Sequence, residues 1–510
     1  MKIVLVSILL ILALSISPAF DEIIISVDCN RVDGIIKPFA EINCGPLPIH
    51  YVKNGVDLTQ QYKRIGINFI RTHDFYGPTD ISTIFPNWNA SVDNPSSYNF
   101  TSSDKVIGAI INTSCHVFYR LGESASENGS LRQPPANFSK WAEICKHIVM
   151  HYNDGWANGY YYNITYWEIW NEPDLKGFWN GTAEQYYKLY EITARTLKKY
   201  NPSLKVGGPC TSSIFNENFT IGFLKYVSEN DVPLDFFSWH MYASHPSELY
   251  KASRYIRHIL DEYGFNQCEN ILTEWNINIL SPQRDKDNEK NAAFTALSLI
   301  AFQDANLNYA FRYRGTQDNN WLVRLLGFDL SLFTYDGKFK MPALSYLAMH
   351  YMMQTPLRIF LPYNISKGIA CLAGISDNRS NVSLLVANYE GENKICKVDF
   401  KNLSWNKGIL VHYVIDTSHH LEIVENKPLN SKNCSFSFML EKNSVHFFRL
   451  TNSSFIPPEG PEVAKIPFLL RLRFLDPLLK LLGILLLMLI FSYCLMLTNC
   501  KIFKTFAFII

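Results

Sequence analysis

The stretch Trp167-Glu168-Ile169-Trp170-Asn171-Glu172-Pro173-Asp174 reads as a buried aromatic strand that ends abruptly at a carboxylate. Proline cannot donate to a sheet ladder, so the strand ends before Pro173. A glutamate is thereby left at the carboxyl end of the strand, next to an amide. A second segment of this kind, Ile271-Leu272-Thr273-Glu274-Trp275-Asn276, follows later in the chain. Both positions predict acid–base chemistry rather than core packing.

Short apolar runs alternate with amphipathic stretches between Pro38 and Pro342, which is the pattern of βα units around a parallel sheet. The candidate strands are 40–44, 68–73, 116–121, 166–170, 205–208, 236–242, 270–275 and 308–313. Their number predicts an α/β fold, a (β/α)8 TIM barrel over residues 38–350. Thr182 and Gln185 predict a capping box at the start of one of its helices.

After the barrel the pattern changes to short alternating strands, among them 382–388, 408–415 and 435–440. This pattern predicts a C-terminal antiparallel β-sandwich over residues 351–452. We expect the N-terminal strand within residues 21–37 to join it. Cys396 and Cys434 could bridge two of its strands, although spacing alone proves no pairing.

Apolar segments near both ends of the sequence are typical of a secreted, membrane-anchored protein. Residues 1–20 have the outline of a signal peptide, with a structural helix as the alternative. Residues 481–498 are uncharged and just long enough to span a bilayer. We therefore expect a stalk or juxtamembrane segment at 453–480, a transmembrane helix at 481–498 and a cytoplasmic tail at 499–510. Basic residues between 471 and 480 oppose this orientation, so an interfacial segment is the alternative there.

Fourteen Asn-X-Ser/Thr sequons support passage through the secretory pathway, with a lumenal or extracellular barrel at the cell surface or in a lysosome-like compartment. They are Asn89, Asn99, Asn112, Asn128, Asn137, Asn163, Asn180, Asn218, Asn364, Asn378, Asn381, Asn402, Asn433 and Asn452. The net charge of +1 excludes a strongly basic field for nucleic acid. The sequence does not predict an oligomeric state.

Glu172 and Glu274 end the fourth and seventh candidate strands, and such ends face one another across the mouth of a barrel. Two facing glutamates suit glycoside hydrolysis, in which one protonates the leaving oxygen and the other attacks or activates water. The alternative is that each glutamate only pairs with an arginine. The sequence shows no metal cluster and no phosphate loop, so we expect no metal or other cofactor.

The chain resembles glycoside hydrolase family 39, the family of β-xylosidases and α-L-iduronidases, over roughly residues 20–450. Besides Trp167-Glu168-Ile169-Trp170-Asn171-Glu172-Pro173-Asp174, the matching stretches are Leu175-Lys176-Gly177-Phe178-Trp179, Leu204-Lys205-Val206-Gly207-Gly208-Pro209, Val232-Pro233-Leu234-Asp235-Phe236, Tyr98-Asn99-Phe100, Ile70-Arg71-Thr72-His73 and Cys44-Gly45-Pro46-Leu47-Pro48-Ile49-His50. The resemblance implies a retaining exo-glycosidase that acts on an oligosaccharide or glycoconjugate through a covalent glycosyl–enzyme intermediate.

In that resemblance Glu172 is the acid/base and Glu274 the nucleophile, with carboxyl groups about 5–5.5 Å apart. We expect a neighbouring negative charge to raise the pKa of Glu172. Asn171 would donate to the sugar 2-hydroxyl. The remaining candidates would contact the sugar or orient the nucleophile, and they are His73, His240, Tyr242, Trp275, Tyr313 and Arg314.

The eighth strand departs from the xylosidases, because Arg314 stands where a sugar-stacking tryptophan is expected. An arginine could bind a uronate carboxylate with two hydrogen bonds, or it could form a salt bridge to Asp318. Xyloside-type and uronide-type substrates both stay open. A catalytically silent carbohydrate-binding or adhesion protein on the same barrel is the alternative outside the enzyme class.

Overall fold

The computed structural model describes residues 22–47, 56–73, 77–124, 133–317, 327–362, 367–453 and 459–465. The predicted signal peptide, transmembrane helix and tail lie outside these residues. Among the described helices, none combines the length and apolarity needed to cross a bilayer. The described chain forms two compact units, one from residues 22–36 and 352–453 and the other from 37–351 and 459–465.

The larger unit is a closed barrel of eight parallel strands, which confirms the predicted (β/α)8 fold. Strands β1 and β2 precede the barrel in the chain and belong to the smaller unit. The barrel strands are β3 Glu41–Asn43, β4 Phe69–Arg71, β5 His116–Leu121, β6 Tyr166–Ile169, β7 Lys205–Thr211, β8 Phe236–Ala243, β9 Glu269–Ile277 and β10 Tyr309–Arg312. Strand β10 pairs with both β9 and β3, which closes the ring. The carboxyl ends of all eight strands therefore meet at one mouth.

Helices follow the barrel strands along the chain, and several of them bury an apolar face. They are α1 Thr59–Arg64, α2 Ile81–Ile84, α3 Thr101–Asn112, α4 Phe138–Asp154, α5 Ala183–Tyr200, α6 Glu217–Glu229, α7 Pro246–Glu262, α8 Gln283–Asp287, α9 Glu289–Phe302 and α10 Met341–Met352. The predicted capping box is present, because the Thr182 side chain accepts from the Gln185 backbone and the Gln185 side chain accepts from the Thr182 backbone.

Aromatic side chains fill the barrel interior below the mouth. Phe118 from β5 packs against Phe311 at 4.8 Å and Phe236 at 5.2 Å between ring centroids, and all three are buried. Tyr166 and Ile271 complete the buried cluster. The polar side chains of the mouth therefore lie above a packed aromatic layer.

The smaller unit contains two sheets whose side chains share one hydrophobic core. Its strands are β1 Glu22–Asp28, β2 Val32–Ile35, β11 Leu357–Ile359, β12 Ile369–Ile375, β13 Asn381–Asn388, β14 Lys394–Lys401, β15 Gly408–Ile415, β16 His420–Leu429, β17 Cys434–Leu440 and β18 Ser444–Thr451. The predicted antiparallel sheets are present, with one exception. The N-terminal strand β1 joins them in a parallel pair with β14.

The suggested bridge between Cys396 and Cys434 is wrong. The two cysteines lie on adjacent strands, but Cys396 is opposite Phe438 and Cys434 is opposite Phe400. This offset of four residues along the strands is too far for a disulfide. All nine cysteines among the described residues are free thiols.

Part of the predicted stalk lies on the barrel unit instead of leading freely away from it. The Phe339 backbone N–H donates to the Glu462 carbonyl at 2.9 Å, and the Ala464 N–H donates to the Phe339 carbonyl at 2.8 Å. The Lys338 ammonium pairs with the Glu462 carboxylate at 3.0 Å. Residues 459–465, which we call the return segment, are thus held by a short parallel bridge that a Pro-rich composition did not predict.

Replacing Phe118 with alanine should lower the free energy of unfolding by about 3–5 kcal/mol, because it opens a cavity in the aromatic layer. The matched control is Phe215→Ala, whose side chain is 70% exposed and whose loss should cost less than about 0.5 kcal/mol. Denaturant unfolding of both variants measures the difference. Equal losses would contradict this account of the barrel interior.

Candidate active site

The two predicted glutamates lie together at the barrel mouth. Glu172 follows β6, and Glu274 lies near the end of β9. One carboxylate oxygen of each, together with a ring nitrogen of His240, lies within 4.8 Å of the others. The backbone bends sharply before the first glutamate, since Trp170 and Glu172 have φ angles of 74° and 45°. The Glu172 N–H donates to the Cys210 carbonyl at 2.9 Å, which fixes this turn against β7.

Arg71, at the end of β4, binds most of the polar groups below the glutamate pair. Its guanidinium donates to Glu168 at 2.7 Å and to Glu274 at 3.0 Å. It also donates to the side-chain oxygens of Asn171 at 2.8 Å and Asn43 at 2.9 Å. Because Arg71 is fully buried, it neutralises part of the negative charge that would otherwise be unpaired there.

Glu274 is held in position from several strands. Besides Arg71, the Tyr242 hydroxyl donates to its Oε2 at 2.8 Å. His73 Nε2 lies 3.7 Å from its Oε1, and His240 Nδ1 lies 3.6 Å from its Oε2. Burial and the charge of Glu172 raise the pKa of Glu274, whereas His240, Arg71 and the Tyr242 hydrogen bond oppose that rise. Both of its oxygens are therefore oriented by donors.

Glu172 has a different environment. Burial is the main reason that the pKa of Glu172 is raised to about 8, and the charge of Asp174 adds to the rise. The charge of Arg71 lowers this pKa and is the smallest of the three effects. The sequence predicts that a neighbouring negative charge raises the pKa of Glu172. Asp174 does raise it, but burial raises it more. Glu172 accordingly holds its proton at neutral pH, while cationic and hydroxyl donors favour the ionised form of Glu274. The two glutamates thus differ as an acid and a nucleophile must differ.

The two histidines next to the glutamates are neutral. Burial lowers the pKa of His240 to about 4. Burial and the nearby arginines Arg71, Arg120 and Arg314 hold the pKa of His73 well below its usual range. Each ring therefore offers one N–H donor and one acceptor nitrogen. Glu172, His240 and Glu274 are atom types that metals bind, but the Arg71 guanidinium at 3.0 Å from Glu274 would repel a cation.

Asn171 presents an amide N–H group to the site. Its side chain is fully buried, and Arg71 binds its Oδ1 at 2.8 Å. Because Oδ1 accepts from Arg71, the Nδ2 end of the amide faces away from Arg71. Its Nδ2 has no hydrogen-bond partner among the described residues. A buried donor of this kind is costly unless a ligand hydroxyl accepts from it.

Trp275 was predicted as a substrate contact, and this is wrong. Its indole is fully buried, donates to the Ala310 carbonyl at 3.1 Å and packs edge-on against Phe302 of α9 at 5.1 Å. Because neighbouring residues of a strand point to opposite faces, the inward position of Glu274 directs Trp275 outwards. Strand alternation alone would have predicted this.

Tyr313 and Arg314 lie beyond the end of β10, and both are almost fully buried. The Tyr313 ring lies 6.3 Å from that of Tyr242, whose hydroxyl donates to Glu274. The Arg314 guanidinium lies 5.8 Å from the Tyr313 ring, and its charge lowers the pKa of His73. Asp318, the alternative partner of Arg314, lies outside the described residues.

The sequence patterns did not identify Arg71, Asn43 or Cys210 as site residues. Each comes at the carboxyl end of a barrel strand, and the order Gly208-Pro209-Cys210 marks an irregular strand end. Strand-end position was therefore an available signal. Strand-end position alone was not enough, because it does not reveal which side chains an inward arginine or cysteine contacts.

An eight-stranded parallel barrel with a close glutamate pair at its mouth is the architecture of barrel glycosidases. The family model described as "Glycosyl hydrolases family 39" matches residues 23–426. The chain belongs to this family.

Individual relatives agree with that assignment. The chain is 26% identical over 265 residues to a β-xylosidase from Geobacillus stearothermophilus, a match that covers 46% of this chain and 51% of the relative. It is 30% identical over 201 residues to a β-xylosidase from Caldicellulosiruptor saccharolyticus, covering 36% and 38%. The chain thus spans about half the length of these relatives or less. A glucosidase structure from Croceicoccus marinus has the same fold, with a TM-score of 0.74, 24% identity and coverage of 84% and 99%.

Replacing Arg71 with methionine should lower the free energy of unfolding by about 3–5 kcal/mol, because Glu168 and Glu274 lose their buried cation. Arg195→Met is the control, since that side chain is 46% exposed and its ion pair with Glu191 should contribute less than about 1 kcal/mol. Both values come from denaturant titration at neutral pH. If the two variants lose the same stability, Arg71 is not the cation on which the buried glutamates depend.

Proposed function

We propose that the chain is a retaining glycoside hydrolase in which Glu172 is the acid/base and Glu274 the nucleophile. The observation that carries this proposal is the close glutamate pair, in which one carboxylate oxygen of Glu172 lies within 4.8 Å of one of Glu274. Retaining enzymes have closely spaced carboxyl groups, whereas inverting enzymes separate theirs to admit a water molecule. The raised pKa of Glu172, about 8, supports its role as the acid.

In the first step, an oxygen of Glu274 attacks the anomeric carbon and forms a covalent glycosyl ester. The bond from that carbon to the leaving oxygen breaks, and the proton of Glu172 goes to the leaving oxygen. The free N–H of Asn171 would donate to the sugar 2-hydroxyl as positive charge grows on the sugar ring. Tyr242 and Arg71 orient the attacking carboxylate.

In the second step, water replaces the leaving group. Glu172, now ionised, takes a proton from the water molecule while the water oxygen attacks the anomeric carbon. The ester bond to Glu274 breaks and releases the sugar with its original configuration. Glu172 returns to its protonated form, and the high pKa set by its burial favours that return.

We propose a xyloside-type or a uronide-type glycan as the substrate, from the family and from the charge at the mouth. Two β-xylosidases among the relatives support a xyloside-type glycan. Arg314, next to His73 and Tyr313, supports a uronide-type glycan, because a guanidinium binds a carboxylate with two hydrogen bonds. A silent carbohydrate-binding protein would gain nothing from two closely spaced glutamates whose hydrogen-bond partners differ in this way.

Trapping with 2-deoxy-2-fluoro glycosides tests the reaction and the sugar together. We expect a xylosyl or a uronosyl reagent to add one fluoro-sugar to the intact protein, and peptide mapping to place it on Glu274. The Glu274→Gln variant should stay unlabelled. Glu172→Gln should still be labelled by reagents with good leaving groups, because these need no protonation. No label from either reagent, or a label elsewhere, would falsify the proposal and favour a binding protein.

We further propose that the chain is a glycosylated type I membrane protein with a lumenal or extracellular barrel. Among the described sequons, eleven of twelve asparagines are exposed and Asn381 is half-buried, as glycan acceptors require. The signal-like segment 1–20 and the apolar segment 481–498 supply the targeting and the anchor. These features support our proposal that the reaction takes place in the secretory pathway.

Expression in a eukaryotic cell tests this topology. We expect peptide N-glycosidase to lower the apparent mass of the full chain, and the chain to stay with membranes after alkaline extraction. Leu487→Lys together with Leu489→Lys should release it, because each charge near the bilayer centre costs about 2.5–3.5 kcal/mol. The control, Leu469→Lys with Leu470→Lys, lies before the apolar segment and should stay bound. An unglycosylated full chain, or release of both double variants, would contradict the proposed topology.

A further inference from the structure

A line of buried polar contacts joins the Arg71 guanidinium to the proposed acid Glu172. Arg71 Nη2 donates to the Cys210 sulfur at 3.0 Å. The same sulfur lies 3.0 Å from His240 Nε2, and His240 Nδ1 lies 2.8 Å from Glu172 Oε1. Cys210 is fully buried, so its sulfur meets only these site groups and their neighbours. The protonation of each member therefore constrains the next.

His240 has to place its single ring proton on one of two nitrogens. It is neutral, since burial lowers its pKa to about 4. Its Nδ1 faces Glu172 Oε1 at 2.8 Å and Glu274 Oε2 at 3.6 Å. If Nδ1 carried a lone pair, that lone pair would face the anionic nucleophile. An N–H at Nδ1 instead interacts favourably with both carboxyl groups.

Nε2 must then accept a hydrogen bond, and the thiol of Cys210 is its partner at 3.0 Å. Burial raises the pKa of Cys210 well above its ordinary value, so the thiol keeps its proton. Two other acceptors, Asn171 Oδ1 at 3.5 Å and Thr273 Oγ1 at 3.8 Å, are further from the sulfur. Arg71 donates to the sulfur lone pairs, which leaves the S–H bond free to turn towards His240.

We propose that Cys210 is a positioning residue for the acid, because its thiol donates to His240 Nε2 and fixes the ring with its proton on Nδ1. Nδ1–H then donates to Glu172 Oε1, so the acid carries its proton on Oε2, where it is available to the leaving oxygen. In the opposite tautomer, Nδ1 would accept the Glu172 proton and hold it away from the substrate. This inference rests on the proposed glycosidase function.

The other charged and titratable groups around His240 and Glu172 are the same residues in every Cys210 variant. They are Arg71, His73, Glu168, Asp174, Glu274 and Tyr242. Because Arg71 also contacts the Cys210 sulfur, the tautomer of His240 is the readout that distinguishes an effect through His240 from an effect through Arg71. The matched variants are Cys210→Ser, which keeps a donor, and Cys210→Ala, which does not.

The tautomer can be measured without any substrate, by ¹⁵N NMR of the histidine side chains in the full chain. His240→Gln identifies the signals of His240. We expect the Nδ1–H form in the wild type and in Cys210→Ser, and the Nε2–H form or a mixture in Cys210→Ala. An Nε2–H wild type, or a tautomer that is the same with and without the donor, overturns the inference. If Cys210→Ala does not fold, the wild-type tautomer alone still decides.

Kinetics with two aryl glycosides of the sugar found by trapping give a second readout. For a phenyl glycoside, whose leaving oxygen needs a proton, Cys210→Ala should lower kcat/KM about tenfold, part of the roughly 10²- to 10⁴-fold effect of acid–base catalysis. For a dinitrophenyl glycoside kcat/KM should stay within about twofold, because this ratio reports the first step and that leaving group needs no acid. Cys210→Ser should restore most of the loss. An equal loss on both substrates indicates a merely structural role and contradicts the proposal.

The pH profile of kcat/KM also distinguishes a positioning role of Cys210 from a merely structural one. In the wild type, Nδ1–H stabilises the ionised form of Glu172 and so limits the rise of its pKa, which burial sets at about 8. Loss of that donor should move the alkaline limb of kcat/KM to higher pH, even though the rate falls. An unmoved limb in Cys210→Ala contradicts the inference. A wild type inactive on every glycoside would instead refute the proposed function, and the NMR result would remain separate from it.

Discussion

The buried guanidinium of Arg71 is the interaction on which the site depends. A closed barrel brings acidic side chains from opposite strands into one water-poor space, where isolated charges are very costly. A single planar cation with several donors can bind Glu168, Glu274 and Asn171 at once, whereas a lysine offers one charged point. The position of the Glu274 carboxylate and the direction of the Asn171 amide therefore have one common cause.

Burial has different consequences for the two glutamates because their neighbours differ. Glu274 receives hydrogen bonds from Arg71 and Tyr242, which favour its ionised form. Glu172 has Asp174 nearby and a neutral histidine as its partner, so burial prevails and its pKa is raised. The different environments of the pair thus arise from the contacts of each carboxyl group, and the charge of Glu172 raises the pKa of Glu274 less than burial does.

The sequence predicted the barrel well, because apolar runs of strand length separated by amphipathic helices are local signals. It also predicted the glutamate pair, since Asn171-Glu172-Pro173 ends a strand visibly. It did not predict the outward direction of Trp275, although strand alternation contained that information. Contacts that cross the barrel, such as Arg71 to Glu274 and Cys210 to His240, depend on the register of several strands. No local pattern encodes that register.

The return segment determines how far the barrel could lie from the membrane if the proposed anchor is present. Because residues 459–465 are hydrogen-bonded to Phe339, the last described residues of the chain belong to the barrel unit and not to the sandwich. Under the proposed topology, only residues 466–480 then separate the barrel from the bilayer, a covalent reach of at most about 50 Å. The enzyme would sample a thin layer next to its own membrane. Glycans carried on that surface would therefore meet the active site at a far higher local concentration than the same glycans in solution.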